Sequence, residues 1–206
     1  MKVLLVNGSP RKNGCTFTAL SEVEKSLLKN GVEVEWFHLG TMPVRGCVAC
    51  GKCFELKACV FDDDVANKMA EKIREADGVI IGSPVYFSGP NGALCSVLDR
   101  VFYSNMGRFA HKPAACVVSC RRGGASASFD RLNKYFTIAQ MPVISSQYWN
   151  AVHGNTPEQV LADAEGLQIM RVLGTNMAWV LKNIDGKERP EREEQRAFTS
   201  FMDGKL

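Results

Sequence analysis

The chain opens with an unbroken apolar run, Val3-Leu4-Leu5-Val6, that ends in Asn7-Gly8 and is followed at helical spacing by Phe17, Leu20, Val23, Leu27 and Leu28, up to Asn30-Gly31. A run with no polar alternation suits a strand covered on both faces, and a helix directly after it supplies one of the covers. The succession repeats. Val32 to Leu39 reads as a second strand, Gly78 to Gly82 as a third and Ala114 to Val118 as a fourth, with a fifth starting at Pro142-Val143-Ile144. Helical periodicity lies between them. Asp62-Asp63-Asp64 puts negative charge at the start of a helix through Val65, Met69 and Ile73, where the helix dipole favours it. Leu94, Val97, Leu98, Val101 and Phe102 mark the next helix, another runs from about 126 to 139, and the last opens at Thr156-Pro157, a capping residue before a first-turn proline. The alternation predicts an α/β fold: five parallel strands with helices on both faces.

No repeat and no Pro/Gly-rich linker divides the 206 residues, so a single domain over 1–206 is expected, with a loop at about 40–61 and a charged tail at about 185–206. Within that tail, Lys187 to Arg196 holds four Glu and four Lys or Arg. A chain of this length buries enough core to fold without disulfides, and 46% apolar against 23% charged residues excludes a disordered or fibrous chain. A net charge of +3, spread along the chain, argues against nucleic acid as a partner. Apolar stretches such as Pro113 to Val118 fall far short of the ~20 residues a bilayer requires. The start turns polar too quickly for a signal peptide. The expected location is the cytoplasm, with no membrane partner.

In open parallel sheets ligands sit beyond the carboxyl ends of the strands, and the loops after strands one, three and four are chemically unusual. The first, Gly8-Ser9-Pro10-Arg11-Lys12-Asn13-Gly14-Cys15-Thr16, combines glycines, hydroxyls and two cations with a helix N-terminus behind it, the makings of a phosphate cradle. Five residues rather than four separate its glycines and no Lys-Ser/Thr follows, so it is not a Walker A loop, and it lacks Gly-x-Gly-x-x-Gly. After strand three comes Ser83-Pro84-Val85-Tyr86-Phe87-Ser88-Gly89-Pro90, two aromatics in a braced loop that can hold a flat ligand. After strand four comes Ser119-Cys120-Arg121-Arg122-Gly123-Gly124, whose glycines let a backbone approach closely. A phosphate pocket beside an aromatic wall suits flavin mononucleotide (FMN). Arg121 and Arg122 read either as solvated charges or as partners for a nucleotide phosphate or an acidic protein. Trp149 and Tyr148 read as core, as a flavin neighbour or as a subunit contact.

Four of the eight cysteines fall in the spacing Cys47-x2-Cys50-x2-Cys53-x5-Cys59. Clustered thiols in a reducing compartment bind metal or do redox chemistry, and close spacing lets one segment supply four soft ligands to one cluster. Zinc, a thiol-disulfide pair and a metal-free segment are the alternatives. Cys95 and Cys116 read as small core residues.

These segments resemble the flavodoxin-like NAD(P)H-dependent FMN reductases, and within them the iron-sulfur flavoproteins. The resemblance is carried by Gly8-Ser9-Pro10-Arg11 with Thr16, by Ser83-Pro84-Val85-Tyr86, and by Tyr148-Trp149-Asn150 with His153-Gly154. It implies a doubly wound sheet in the order 2-1-3-4-5. It also implies that Ser9, Arg11, Asn13, Cys15 and Thr16 surround the FMN phosphate, although relatives commonly carry Asn or Ser where Cys15 stands. Pro84, Val85, Tyr86 and Phe87 would frame the isoalloxazine with Ser119, Arg121, Gly123 and Gly124. Cys47, Cys50, Cys53 and Cys59 would hold a 4Fe-4S cluster that relays electrons. The implied activity is an oxidoreductase in which NAD(P)H reduces FMN and a quinone, a free flavin or a protein accepts the electrons, in a homodimer or homotetramer. No side-chain acid or base is needed, because the cofactor carries the chemistry. The alternative is a flavodoxin-like electron carrier; such carriers are strongly acidic, which a net charge of +3 does not match.

Overall fold

The computed structural model describes residues 1–190 together with Glu194 and Ala197; most of the expected charged tail lies outside the described residues. Strand β1 (Lys2–Asn7) pairs in parallel with β2 (Glu33–His38) on one side and β3 (Gly78–Tyr86) on the other. On its other side β3 pairs in parallel with β5 (Ala114–Cys120), and β5 with β6 (Ala151–His153), while the end of β3 also pairs antiparallel with the two-residue β4 (Gly89–Pro90). The parallel strands run β2-β1-β3-β5-β6, which is the expected 2-1-3-4-5 order once β4 is set aside.

The unbroken apolar run of β1 is explained by its two covers. Side chains alternate across a strand, so Val3 and Leu5 face a layer with Leu20, Val23 and Leu27 of α1 (Cys15–Lys29) and Leu173 and Met177 of α7 (Ala164–Ile184). Leu4 and Val6 face the opposite layer. That layer holds Met69 and Ile73 of α3 (Ala66–Glu75), Leu98 and Val101 of α4 (Gly92–Ser104) and Phe136 of α5 (Ala125–Ile138). Two short helices, α2 (Cys53–Leu56) and α6 (Pro157–Ala162), complete the element set.

Four local expectations are corrected. Ser83 to Tyr86 continue β3, and Ser119 and Cys120 continue β5, with Pro84 opposite Ser119 in the ladder; the loops begin later than expected. The fifth strand is displaced. Val143 forms only an isolated bridge to Ala114, the chain then leaves the sheet in a turn where Ser146 Oγ donates to the Tyr148 carbonyl (2.6 Å), and pairing resumes at Ala151. Serine commonly diverts backbone groups in this way. The last helix is two, because Asp163 ends α6 and its Oδ1 accepts the Gly166 amide of α7 (3.0 Å). Of the aspartates before α3, Asp64 caps by accepting the Ala66 amide (3.0 Å), from just ahead of the first turn.

The carboxyl end of α3 is closed from outside. Buried Lys112 donates through Nζ to the carbonyls of Ile73 (2.5 Å), Arg74 (3.0 Å) and Ala76, an ammonium where the dipole favours one. Burial pulls its pKa down to about 8, which leaves it protonated at neutral pH. Lys112→Met strands these carbonyls, and the expected loss is about 1–3 kcal/mol. The check is a lower urea midpoint at unchanged slope.

Candidate functional site

The first site loop leaves β1 at Asn7, whose side chain closes it. Asn7 Nδ2 donates to the Lys12 carbonyl (3.0 Å), while Oδ1 accepts the Ser9 amide (3.1 Å). Ser9 Oγ accepts the Arg11 amide (3.1 Å), which leaves its own O–H to donate. Helix α1 starts behind Gly14 with no side-chain cap and no acidic residue in its first turn. Its leading amides and the positive end of its dipole therefore face the loop, the arrangement that receives an anion. Arg11 and Asn13 are exposed, Cys15 is partly buried and Ser9 is buried. Burial pushes the Cys15 thiol up. Thr16 is buried, and its hydroxyl pairs with Ser119 Oγ (2.8 Å). Two residues expected at opposite ends of the flavin, one at the phosphate and one at the ring, thus meet each other and tie α1 to β5.

Gly8 is required by packing. A Cβ there would stand 2.5 Å from Leu94 and 2.7 Å from the Gly82 carbonyl, to which the Gly8 amide donates (2.9 Å). Asn91 was not singled out from the sequence, yet it joins two site loops. Its Nδ2 donates to the Gly8 carbonyl (2.7 Å), its amide to Ser83 Oγ (3.0 Å), and its Oδ1 caps α4 through the Ala93 amide (3.0 Å). Pro90-Asn91-Gly92 ahead of a helical apolar run is the signal that would have found it.

The ring loops touch. β3 turns back on β4 through Phe87 and Ser88, both left-handed at φ 49° and 59°, the two-residue turn whose twist suits a hairpin. Such backbone costs about 1–3 kcal/mol per non-glycine residue, and Phe87 at the tip is fully exposed. Gly124, at φ +86°, packs so closely that a Cβ would lie 2.7 Å from Ser88 Cα. One open pocket is lined by Val85, Phe87, Ser88 and the segment Cys120 to Gly124. The structure therefore brings Val85, Phe87, Arg121, Gly123 and Gly124 together, with Tyr86 half-exposed beside them, whereas Pro84 and Ser119 are held in the sheet ladder. Tyr148 and Trp149 are not core residues: both are more than half exposed.

Cys47, Cys50, Cys53 and Cys59 line a single pocket with Arg100 and Tyr103. All are free thiols, and burial raises the Cys53 thiol, reinforced by the neighbouring cysteines. Among the described residues no three His, Cys, Asp or Glu side chains are grouped so as to share one metal ion. Arg100, unnoticed in the sequence, organises this loop. Its Nε donates to Cys59 Sγ (3.2 Å), one terminal nitrogen to the Phe61 carbonyl (2.8 Å), and the other to the Arg45 carbonyl (3.2 Å) and the buried Asp64 carboxylate. Burial raises the Asp64 carboxyl, but the Arg100 guanidinium and the amides of Ala66 and Arg45 outweigh it and hold the group below the usual range. Four thiols around one cavity, with a guanidinium N–H on one sulfur, form a donor set suited to thiolate ligation of a cluster.

A family model described as NADPH-dependent FMN reductase matches residues 1–156. An iron-sulfur flavoprotein of Methanocaldococcus jannaschii is 33% identical over 192 residues, spanning 89% of this chain and 99% of the relative. Two solved structures share the fold. A flavodoxin from the domain Archaea matches at TM-score 0.61 and 14% identity, over 88% of this chain and 99% of its own. An apo NADH:FMN oxidoreductase matches at TM-score 0.63 and 16% identity, over 87% and 89%. With a family model over residues 1–156 and a relative one-third identical over nearly its whole length, the protein belongs to the NADPH-dependent FMN reductase family, in its iron-sulfur flavoprotein group.

Proposed function

We propose that this chain is an FMN-dependent oxidoreductase that takes a hydride from NAD(P)H and passes electrons to a quinone, a free flavin or a protein acceptor, with a 4Fe-4S cluster as a relay. Bound FMN supplies the hydride and single-electron chemistry. The Ser9 hydroxyl, the Arg11 guanidinium, Asn13 and the amides of Cys15 and Thr16 hold the phosphate. Val85, Tyr86, Phe87, Arg121, Gly123 and Gly124 frame the ring through backbone and aromatic contacts, with Pro84 and Ser119 supporting them from the sheet. Cys47, Cys50, Cys53 and Cys59 hold the cluster; each thiolate takes its own iron, so the four sulfurs need not meet at one point. No side-chain acid or base is called on.

The observation that carries this reading is that the uncapped α1 N-terminus, tied to β5 through Thr16 and Ser119, the β3–β4 turn and the Arg121–Gly124 loop lie together at the carboxyl ends of the parallel strands. The test is purification without oxygen, followed by a visible spectrum, an iron assay and NAD(P)H oxidation with excess free FMN. Expected are the two absorption bands of oxidised flavin, about four irons per chain and steady turnover. Colourless protein that stays colourless when FMN is supplied overturns the cofactor assignment, and bound flavin without turnover favours the carrier reading.

A further inference from the structure

The ring pocket does not end at the ring. Arg122 and Gly124, which line it, also line a second pocket of about 280 Å³ beyond the ends of β5 and β6. From this continuity, and resting on the reductase reading above, we infer that the second pocket receives the adenosine end of the nicotinamide dinucleotide, with Arg122 at the junction holding its pyrophosphate.

Three features carry this. The volume lies just below the usual range for drug-sized ligands, the size class of a nucleoside rather than a whole dinucleotide. The outer wall is Tyr148 and Trp149, ring centroids 5.1 Å apart and tilted by 49°, with Phe129 also lining the pocket. At 59% and 56% exposure these two large rings remain in water, and a flat base stacked on them removes that apolar surface. Arg122 stands where the two pockets join. The arginines in ion pairs among the described residues are Arg45, Arg100, Arg131 and Arg171, so its guanidinium is available for a bidentate phosphate contact.

The two carboxylates of the pocket differ in use. Asp163 is committed to the fold, since it accepts the amides of Gly166 (3.0 Å) and His153 (2.7 Å). Glu165, exposed at the same pocket, is not so used, and it offers an acceptor for the hydroxyls or the amino group of a nucleoside. A carboxylate beside an arginine and an aromatic pair fits a ligand with an anionic group, a flat ring and N–H or O–H donors, which adenosine diphosphate chemistry provides. A dinucleotide whose nicotinamide lies in the ring cleft finds, across Arg122 and Gly124, a cavity that shares those two lining residues.

The probe is ADP-ribose, which lacks nicotinamide, titrated calorimetrically into the FMN-loaded protein. Expected are saturable binding, competition with NAD(P)H, and roughly tenfold weaker ADP-ribose binding in Trp149→Ala, with wild-type flavin content, and in Arg122→Gln, assayed on protein saturated with FMN. Trp179→Ala, an exposed tryptophan on α7, should bind ADP-ribose like wild type. KM for NAD(P)H should rise in parallel in the two pocket variants. ADP-ribose failing to bind a protein that does oxidise NAD(P)H, or binding Trp149→Ala with wild-type affinity, overturns the pocket alone. Failure of the FMN-loaded protein to oxidise NAD(P)H overturns the reductase reading whatever ADP-ribose does.

Discussion

Exchanging Arg100 for methionine is expected to lower the stability of the fold by about 3–5 kcal/mol, the range for removing one member of a buried ion pair. The guanidinium and the Asp64 carboxylate are both almost wholly buried, with side chains 1% and 5% exposed. Methionine fills much of the space but leaves the carboxylate with only the amides of Ala66 and Arg45. It also leaves the carbonyls of Arg45 and Phe61 without their Arg100 donor. The pH dependence gives the sign. In the native fold the Asp64 carboxyl is held below its ordinary value of 3.8, so its contribution is present above that pH and is lost as the pH falls through the folded value. Without the guanidinium, burial pushes the carboxyl upward. The deficit should therefore be greatest near neutrality and narrow in acid as Asp64 takes up a proton. Urea unfolding of the two proteins across pH checks this, and Asp64→Asn in the Arg100→Met background should recover part of the loss. A variant that unfolds at the native midpoint at every pH would show that the loop is held elsewhere.

Why Arg100 stayed hidden while the cysteines it secures were evident is a matter of distance along the chain. The spacing of Cys47, Cys50, Cys53 and Cys59 is a local pattern, and one segment can be read by itself. A single arginine in a helix between Leu98 and Val101 reads as a solvated position, and nothing near residue 100 announces that residues 45, 59, 61 and 64 close over it. The strand order was legible for the opposite reason: runs such as Val3 to Val6 report burial on two faces, which in a βαβ chain leaves few arrangements. The fifth strand was misplaced because Pro142-Val143-Ile144 has strand composition but makes only one bridge, while the pairing at Ala151–His153 depends on how far β5 extends. Thr16 and Ser119 fall to the two ends of the flavin through the family resemblance, which treats each loop by itself. Their mutual hydrogen bond, across 103 residues, is visible only once α1 and β5 lie side by side.

The opposite sign of charge at the proposed phosphate cradle should be felt most at Arg11. Its side chain is exposed, and its ties to the loop run through the backbone: its amide to Ser9 Oγ and its carbonyl to the Gly14 amide. Arg11→Glu therefore leaves the turn intact and alters only what an anion meets there. Thr16→Glu would be a poorer probe, since Thr16 is buried and bonded to Ser119, so that loss of flavin could reflect loss of fold. With the phosphate placed as proposed, the substitution at Arg11 removes a charge-assisted hydrogen bond, about 1.5–3 kcal/mol, and sets a carboxylate against the phosphate, about 1 kcal/mol more at a solvated site. Together these weaken FMN binding roughly a hundredfold or more. The measurement is titration of flavin-free protein by quenching of flavin fluorescence, with FMN and with riboflavin. Riboflavin lacks the phosphate and should bind both proteins alike, while the FMN affinity of Arg11→Glu falls toward that of riboflavin and depends less on salt. If FMN binds the variant as tightly as the native protein, the anion rests elsewhere, and the loop between Gly8 and Thr16 is a turn rather than a cradle.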